Sequence, residues 1–131
     1  MKLYVRPSSM TLVLVLAFAG GSALACSCGD KDLAQIIDES KYIFVAEIIS
    51  AQKNPDADSV SNSVTAGFEV TDVIKGAPRE LDRLYSGVGG GDCGIPFLVG
   101  HKMLVFTSDG TVSMCGATRS LGLFDDESDY I

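Results

Sequence analysis

Five short stretches of this chain concentrate or alternate apolar residues as strands do, and one spaces them as a helix does. Residues 42–50 (YIFVAEIIS) are β-branched and aromatic and predict a well-buried strand. Residues 64–74 predict a second strand, with Phe68, Val70 and Asp72 alternating on one face, Val73 and Ile74 closing it, and Gly67 marking a bulge. Residues 83–86 are a short third strand, 102–107 (KMLVFT) a fourth, and 111–115 (TVSMC) a fifth. Between the last two, Ser108-Asp109-Gly110 carries the Asp-Gly signal of a hairpin. Polar residues 51–59, with Pro55, read as a loop, and Lys75-Gly76-Ala77-Pro78 as a turn. Ahead of the strands, Leu33, Ile36 and Ile37 fall at i, i+3, i+4. They predict a helix over 31–39, capped by Asp30, with its apolar face in the core. Five strands with regularly spaced turns predict a mainly β domain, a small closed or partly open barrel with a short N-terminal helix.

The first 25 residues have a different pattern. Lys2 and Arg6 precede an apolar run over 11–19, followed by small residues ending in Ala23-Leu24-Ala25. This is the layout of a secretory signal peptide, and the run is too short for a spanning helix of ~20 apolar residues. The expected division is a signal peptide over 1–25 and one small domain over 26–131. Lipid attachment at Cys26 is disfavoured because Ala23, not a leucine, stands three residues before it. The expected location is secreted or periplasmic, with a mature form that does not span a membrane. Removing Lys2 and Arg6 leaves 8 basic against 17 acidic residues, so the formal charge moves from −7 to −9. That balance argues against nucleic acid and anionic membranes as partners.

All four cysteines, Cys26, Cys28, Cys93 and Cys115, follow the expected cut. An even number in a small exported chain predicts two disulfides. A Cys26–Cys28 bridge would close a tiny strained ring, so two pairings remain open. A four-thiolate zinc site is the competing reading, disfavoured by an oxidising compartment. A mature protein that starts on Cys26 and carries a second cysteine at 28 points to its own N-terminus as the working group. Residues 87–91 (GVGGG), leading to Asp92 and Cys93, suit positive φ or close backbone approach.

Catalysis is poorly supported. His101, the one histidine, sits in a predicted turn, and Ser86 and Ser108 lack an evident base. Gly89 to Gly91 are not followed by the Lys-Ser/Thr of a phosphate-binding loop. The protein is therefore read as a non-enzyme with no cofactor, and as a monomer.

At this point four stretches converge. They are Cys26-Ser27-Cys28, the segment 68–76 (FEVTDVIKG), Cys93-Gly94 with Val99-Gly100 and Leu104-Val105, and Cys115. In this order the chain resembles the inhibitory N-terminal domain of the tissue inhibitors of metalloproteinases, within the netrin-like modules. The resemblance implies an OB-type barrel and the pairing Cys26–Cys93 with Cys28–Cys115. It also implies a zinc metalloprotease as partner. The amine and carbonyl of Cys26 would chelate the protease's catalytic zinc, and Ser27 would enter the pocket beside the metal. Gly90, Gly91 and Asp92, before Cys93, would line the rest of the cleft. The family's third disulfide and its second, cysteine-rich domain have no counterpart in this sequence. Asp92 stands where an apolar or neutral residue is usual, and would bring a negative charge towards a catalytic carboxylate. The alternative is a netrin-like module that binds a protein or a glycan without inhibiting anything.

Overall fold

The computed structural model describes residues 26–89 and 91–122. The segment 1–25 expected to be a signal peptide, Gly90, and the acidic tail over 125–131, expected to be frayed, lie outside the described residues. The chain is mainly β. Among the described residues one short α-helix, α1 (Leu33–Glu39), precedes five strands: β1 (Tyr42–Lys53), β2 (Val64–Lys75), β3 (Leu84–Ser86), β4 (Lys102–Thr107) and β5 (Arg119–Gly122). They form one antiparallel sheet in the order β3-β2-β1-β4-β5. Among the described residues no helix is long and apolar enough to cross a membrane.

β1 is the central strand. It pairs with β2 on one side and β4 on the other, which accounts for its near-continuous apolar run. Tyr42, Phe44, Ala46 and Ile48 point into the core, where they meet Ala66, Leu84, Met103, Val105 and Val112. Ile95 and Phe97, from the irregular segment before β4, complete that core. The β1–β2 ladder slips in three places. One slip sets Ile48 opposite Phe68 and Ser50 opposite Gly67, so Ile49 is the extra residue and the bulge lies on β1, across from Gly67. A side chain at Gly67 would meet Ser50 Oγ at 2.5 Å. Such slips let two 12-residue strands bend as they twist.

Five expectations are corrected, four of them local. The polar loop begins later, because Ala51, Gln52 and Lys53 still pair with Ala66, Thr65 and Val64. The helix starts at Leu33 with Asp32, not Asp30, as its cap. The Asp32 carboxylate accepts from Gln35 N at 2.8 Å, which leaves Lys31 outside the helix. Its apolar face is not in the core: Leu33 is 57% and Ile37 42% exposed, and α1 has no buried residue. The helix is instead tied on by polar contacts, with Lys75 Nζ donating to the Ile37 and Asp38 carbonyls. Val73 and Ile74, expected to close the apolar face of β2, are also exposed.

The fifth strand is the largest correction. Residues 111–115 do not return along β4. After the Ser108-Asp109-Gly110 turn the chain crosses to the far edge of the sheet. There Tyr85 N donates to the Gly110 carbonyl at 2.9 Å and Val112 N to the Tyr85 carbonyl at 2.8 Å. Thr111 makes only an isolated parallel bridge to Tyr85. With those backbone groups taken, the outer edge of β4 is filled by β5, Leu104 facing Arg119 and Met103 facing Ser120. The sheet itself is not closed by strand pairing.

Phe44 is fully buried at the centre of this core and packs on Phe68, ring centroids 5.5 Å apart. Phe44→Ala should cost about 3–5 kcal/mol. The check is chemical denaturation with both disulfides intact, where the midpoint should fall well below that of the parent.

Candidate functional site: the disulfide-pinned tip and the glycine loop

Residues 26–32 have no regular structure, and what fixes their start is sulfur. Cys26 is bridged to Cys93 and Cys28 to Cys115, with Cα–Cα distances of 5.2 and 5.1 Å. The bridges span 67 and 87 residues, and the chain-entropy account gives roughly 4 kcal/mol for each. The two bridges touch, Cys26 Sγ lying 3.6 Å from Cys115 Sγ and 4.0 Å from Cys28 Sγ. Cys26 is half-buried, whereas Ser27 and Cys28 are exposed. No free cysteine remains among the described residues, so this oxidised arrangement holds neither a thiolate nucleophile nor a four-thiolate metal site.

The loop that receives Cys26 is organised by Asp92. Its carboxylate accepts from the backbone N–H groups of Val88 at 2.7 Å, Gly94 at 2.9 Å and Gly89 at 3.0 Å. The Gly94 N–H first, then those of Val88 and Gly89, hold this carboxyl below the usual aspartate range. The negative charge expected to face a partner is thus engaged with its own loop. Gly87 and Gly94 close the loop backbone to backbone, since a Cβ on Gly94 would lie 2.4 Å from the Gly87 carbonyl carbon. Cys93, between them, has φ +60, a left-handed conformation uncommon for a residue with a side chain.

Ser86 locks the loop to the rest of the sheet. Fully buried at the end of β3, its hydroxyl accepts from Ile95 N at 2.7 Å and donates to the Val112 carbonyl at 3.1 Å. The neighbouring strand-like segment adds Met114 N donating to the Cys93 carbonyl at 2.9 Å. One hydroxyl and one backbone bond therefore set the Cys93 and Cys115 anchor points side by side.

The structure brings Cys26, Ser27, Cys28, Asp92, Cys93 and Cys115 into one cluster, with exposed Gly91 next to Asp92. Gly90 lies outside the described residues. Sequence reasoning missed three residues. Ser86 lies two residues from buried Leu84, on the same face of β3, and so had to face the core, a polar side chain in need of a partner. Val88, bound through its N–H to Asp92, and Met114, bound through its N–H to the Cys93 carbonyl, are 54% and 52% exposed. Nothing in the strand pattern marks them. The Nδ1 of His101 is buried without a hydrogen-bond partner among the described residues.

Ser86→Ala leaves a buried N–H and a buried carbonyl unpaired and should cost about 1–3 kcal/mol, read from denaturant unfolding. Asp92→Asn tests the loop through pH. A carboxyl held low when folded stabilises the fold above its unfolded value near 3.8, and that contribution is lost as pH falls through the lower folded value. The stability gap between parent and Asp92→Asn should be full at pH 7 and shrink below pH 3.8, measured by unfolding across that range.

No protein-family model matches this chain and no curated protein matches it, so the role of the tip rests on its own residues and on the resemblance they carry.

Proposed function

We propose that this chain is a secreted inhibitor of zinc metalloproteases, released by cleavage after Ala25 and acting through the free amine and carbonyl of Cys26. The observation that carries the reading is the double anchoring of the first residues. Two adjacent bridges hold Cys26 and Cys28, and Ser27 is exposed between them. A wedge of this kind is ordered before it meets a partner, which reduces the ordering cost of binding.

The chemistry follows from ordinary metal coordination. A catalytic zinc keeps one position for water. A neutral amine and a carbonyl are competent ligands for it. Ser27, small and exposed, would enter a pocket beside the metal without clash. Gly91 and the 87–94 loop permit close backbone approach, and the exposed Val88 and Met114, tied to Asp92 and Cys93, offer apolar contact. Because the Asp92 carboxylate is already held by three N–H groups, its charge is less of an obstacle to an acidic cleft than the sequence suggests. The finer architecture belongs to the same proposal. The bridge from Tyr85 to Thr111, which joins the β3 edge to the exit of β4, supports a partly open OB-type barrel.

A netrin-like binding module without inhibitory activity is the second reading. It is favoured by a polar hollow at the β1–β2 hairpin, whose lining includes Lys53, Thr65, Arg83 and Tyr85 and no residue of the tip. The two separate on one experiment. The mature protein, begun at a free Cys26, is titrated against a panel of zinc metalloproteases beside a form acetylated at Cys26. The inhibitor reading predicts tight inhibition that acetylation abolishes; equal potency of both forms, or none across the panel, rejects it. Inhibition should also follow the amine. An α-amine titrates at about 7.7–8.0, so affinity should fall about tenfold per pH unit below that range. A flat profile into mild acid, with the protease still active, would contradict amine ligation.

A further inference from the structure

On the face of the sheet opposite the core, the tip of the β1–β2 hairpin and the start of β3 enclose a hollow of about 490 Å³. That size lies within the ~300–1,000 Å³ of small-molecule sites. Its floor is a row set by strand register: Gln52 on β1 faces Thr65 on β2, and Thr65 faces Tyr85 on β3. Arg83 is two residues from Tyr85, and both alternate with Leu84, which is buried on the core side. Arg83 and Lys53 supply the charge, and among the described residues no acidic side chain lines the hollow. Asp82, within 3.9 Å of the guanidinium, has a side chain 93% exposed, so it neutralises Arg83 little. A site with two cations and no anion stands out in a chain of net charge −7.

We infer that this hollow binds an oligosaccharide carrying carboxylates. The planar guanidinium of Arg83 suits a carboxylate bidentately, and Lys53 supplies a second point charge. Gln52, Thr65 and the Tyr85 hydroxyl match the donors and acceptors of sugar hydroxyls, and the Tyr85 ring offers an apolar surface for a sugar face. Tyr85 is fixed on both sides, paired with Thr65 and hydrogen-bonded to Gly110 and Val112, so the floor is rigid before binding. A peptide added as a strand would need a free backbone edge. β2 is paired on both sides here, and the outer edge of β3 is taken at Tyr85. Nucleic acid is opposed by the overall charge. No residue of the Cys26–Cys28 tip lines the hollow, so this inference stands independently of protease inhibition.

The test is an NMR titration of the mature protein, acetylated at Cys26 to silence the tip, with oligogalacturonate as probe. Saturable shifts are expected at the amides of Gln52, Lys53, Thr65 and Tyr85. Arg83→Gln and Lys53→Gln, both at exposed positions, should each weaken binding at least ~5-fold, the scale of one lost charge-assisted hydrogen bond of ~1 kcal/mol or more. The methyl-esterified probe should bind at least ~10-fold more weakly for the same reason. Arg119→Gln, the same charge change on β5, should leave affinity unchanged. The inference is overturned by the absence of saturable binding, by Arg119→Gln weakening it as much as Arg83→Gln, or by a poly-glutamate peptide binding as tightly as the sugar.

Discussion

The first residues of the described chain are held by two covalent bonds and very little else. Residues 26–32 belong to no strand or helix, and α1, which follows, buries none of its side chains. Hydrophobic burial, the usual force that docks a terminus, is therefore small here. The Cys26–Cys93 and Cys28–Cys115 bridges replace it. Their anchor points must themselves be held, and that is the work of Ser86, Asp92 and the Met114–Cys93 backbone bond. The sheet thus fixes the loop, the loop fixes the sulfurs, and the sulfurs fix the tip.

How much of this can be read in the sequence depends on where the backbone bonds go. β1 and β4 are legible because their inward faces are continuous and apolar, and Leu33–Glu39 is legible as a helix from its spacing. The fifth strand is not. Residues 111–115 look strand-like, but their backbone groups are claimed by Tyr85 and Cys93, contacts distant in sequence. Arg119–Gly122 is short, with only Leu121 apolar, and takes the edge of β4 that the hairpin was expected to fill. The apolar face of α1 misleads for a related reason. Periodicity reports which residues share a face, not whether the core has room for that face.

The candidate site was legible in its cysteines and in its glycine loop, though spacing alone left two disulfide pairings open. Asp92 was legible in kind but not in direction. An aspartate in a glycine-rich turn is the residue type that accepts from nearby backbone N–H groups, and here it binds three. Its charge serves the loop first. Val88, whose N–H is held by the Asp92 carboxylate, and Met114, next to Cys115, are both exposed.

The central claim is that the amine of Cys26 becomes a metal ligand, and a cobalt-substituted metalloprotease reports on that directly. Cobalt(II) in the zinc position gives visible bands that change with the ligand in the open coordination site. Titration with the mature protein should change those bands and saturate at one equivalent, and the Cys26-acetylated protein should leave them as they were. Inhibition of the enzyme with an unchanged cobalt spectrum would place the contact elsewhere and contradict the account.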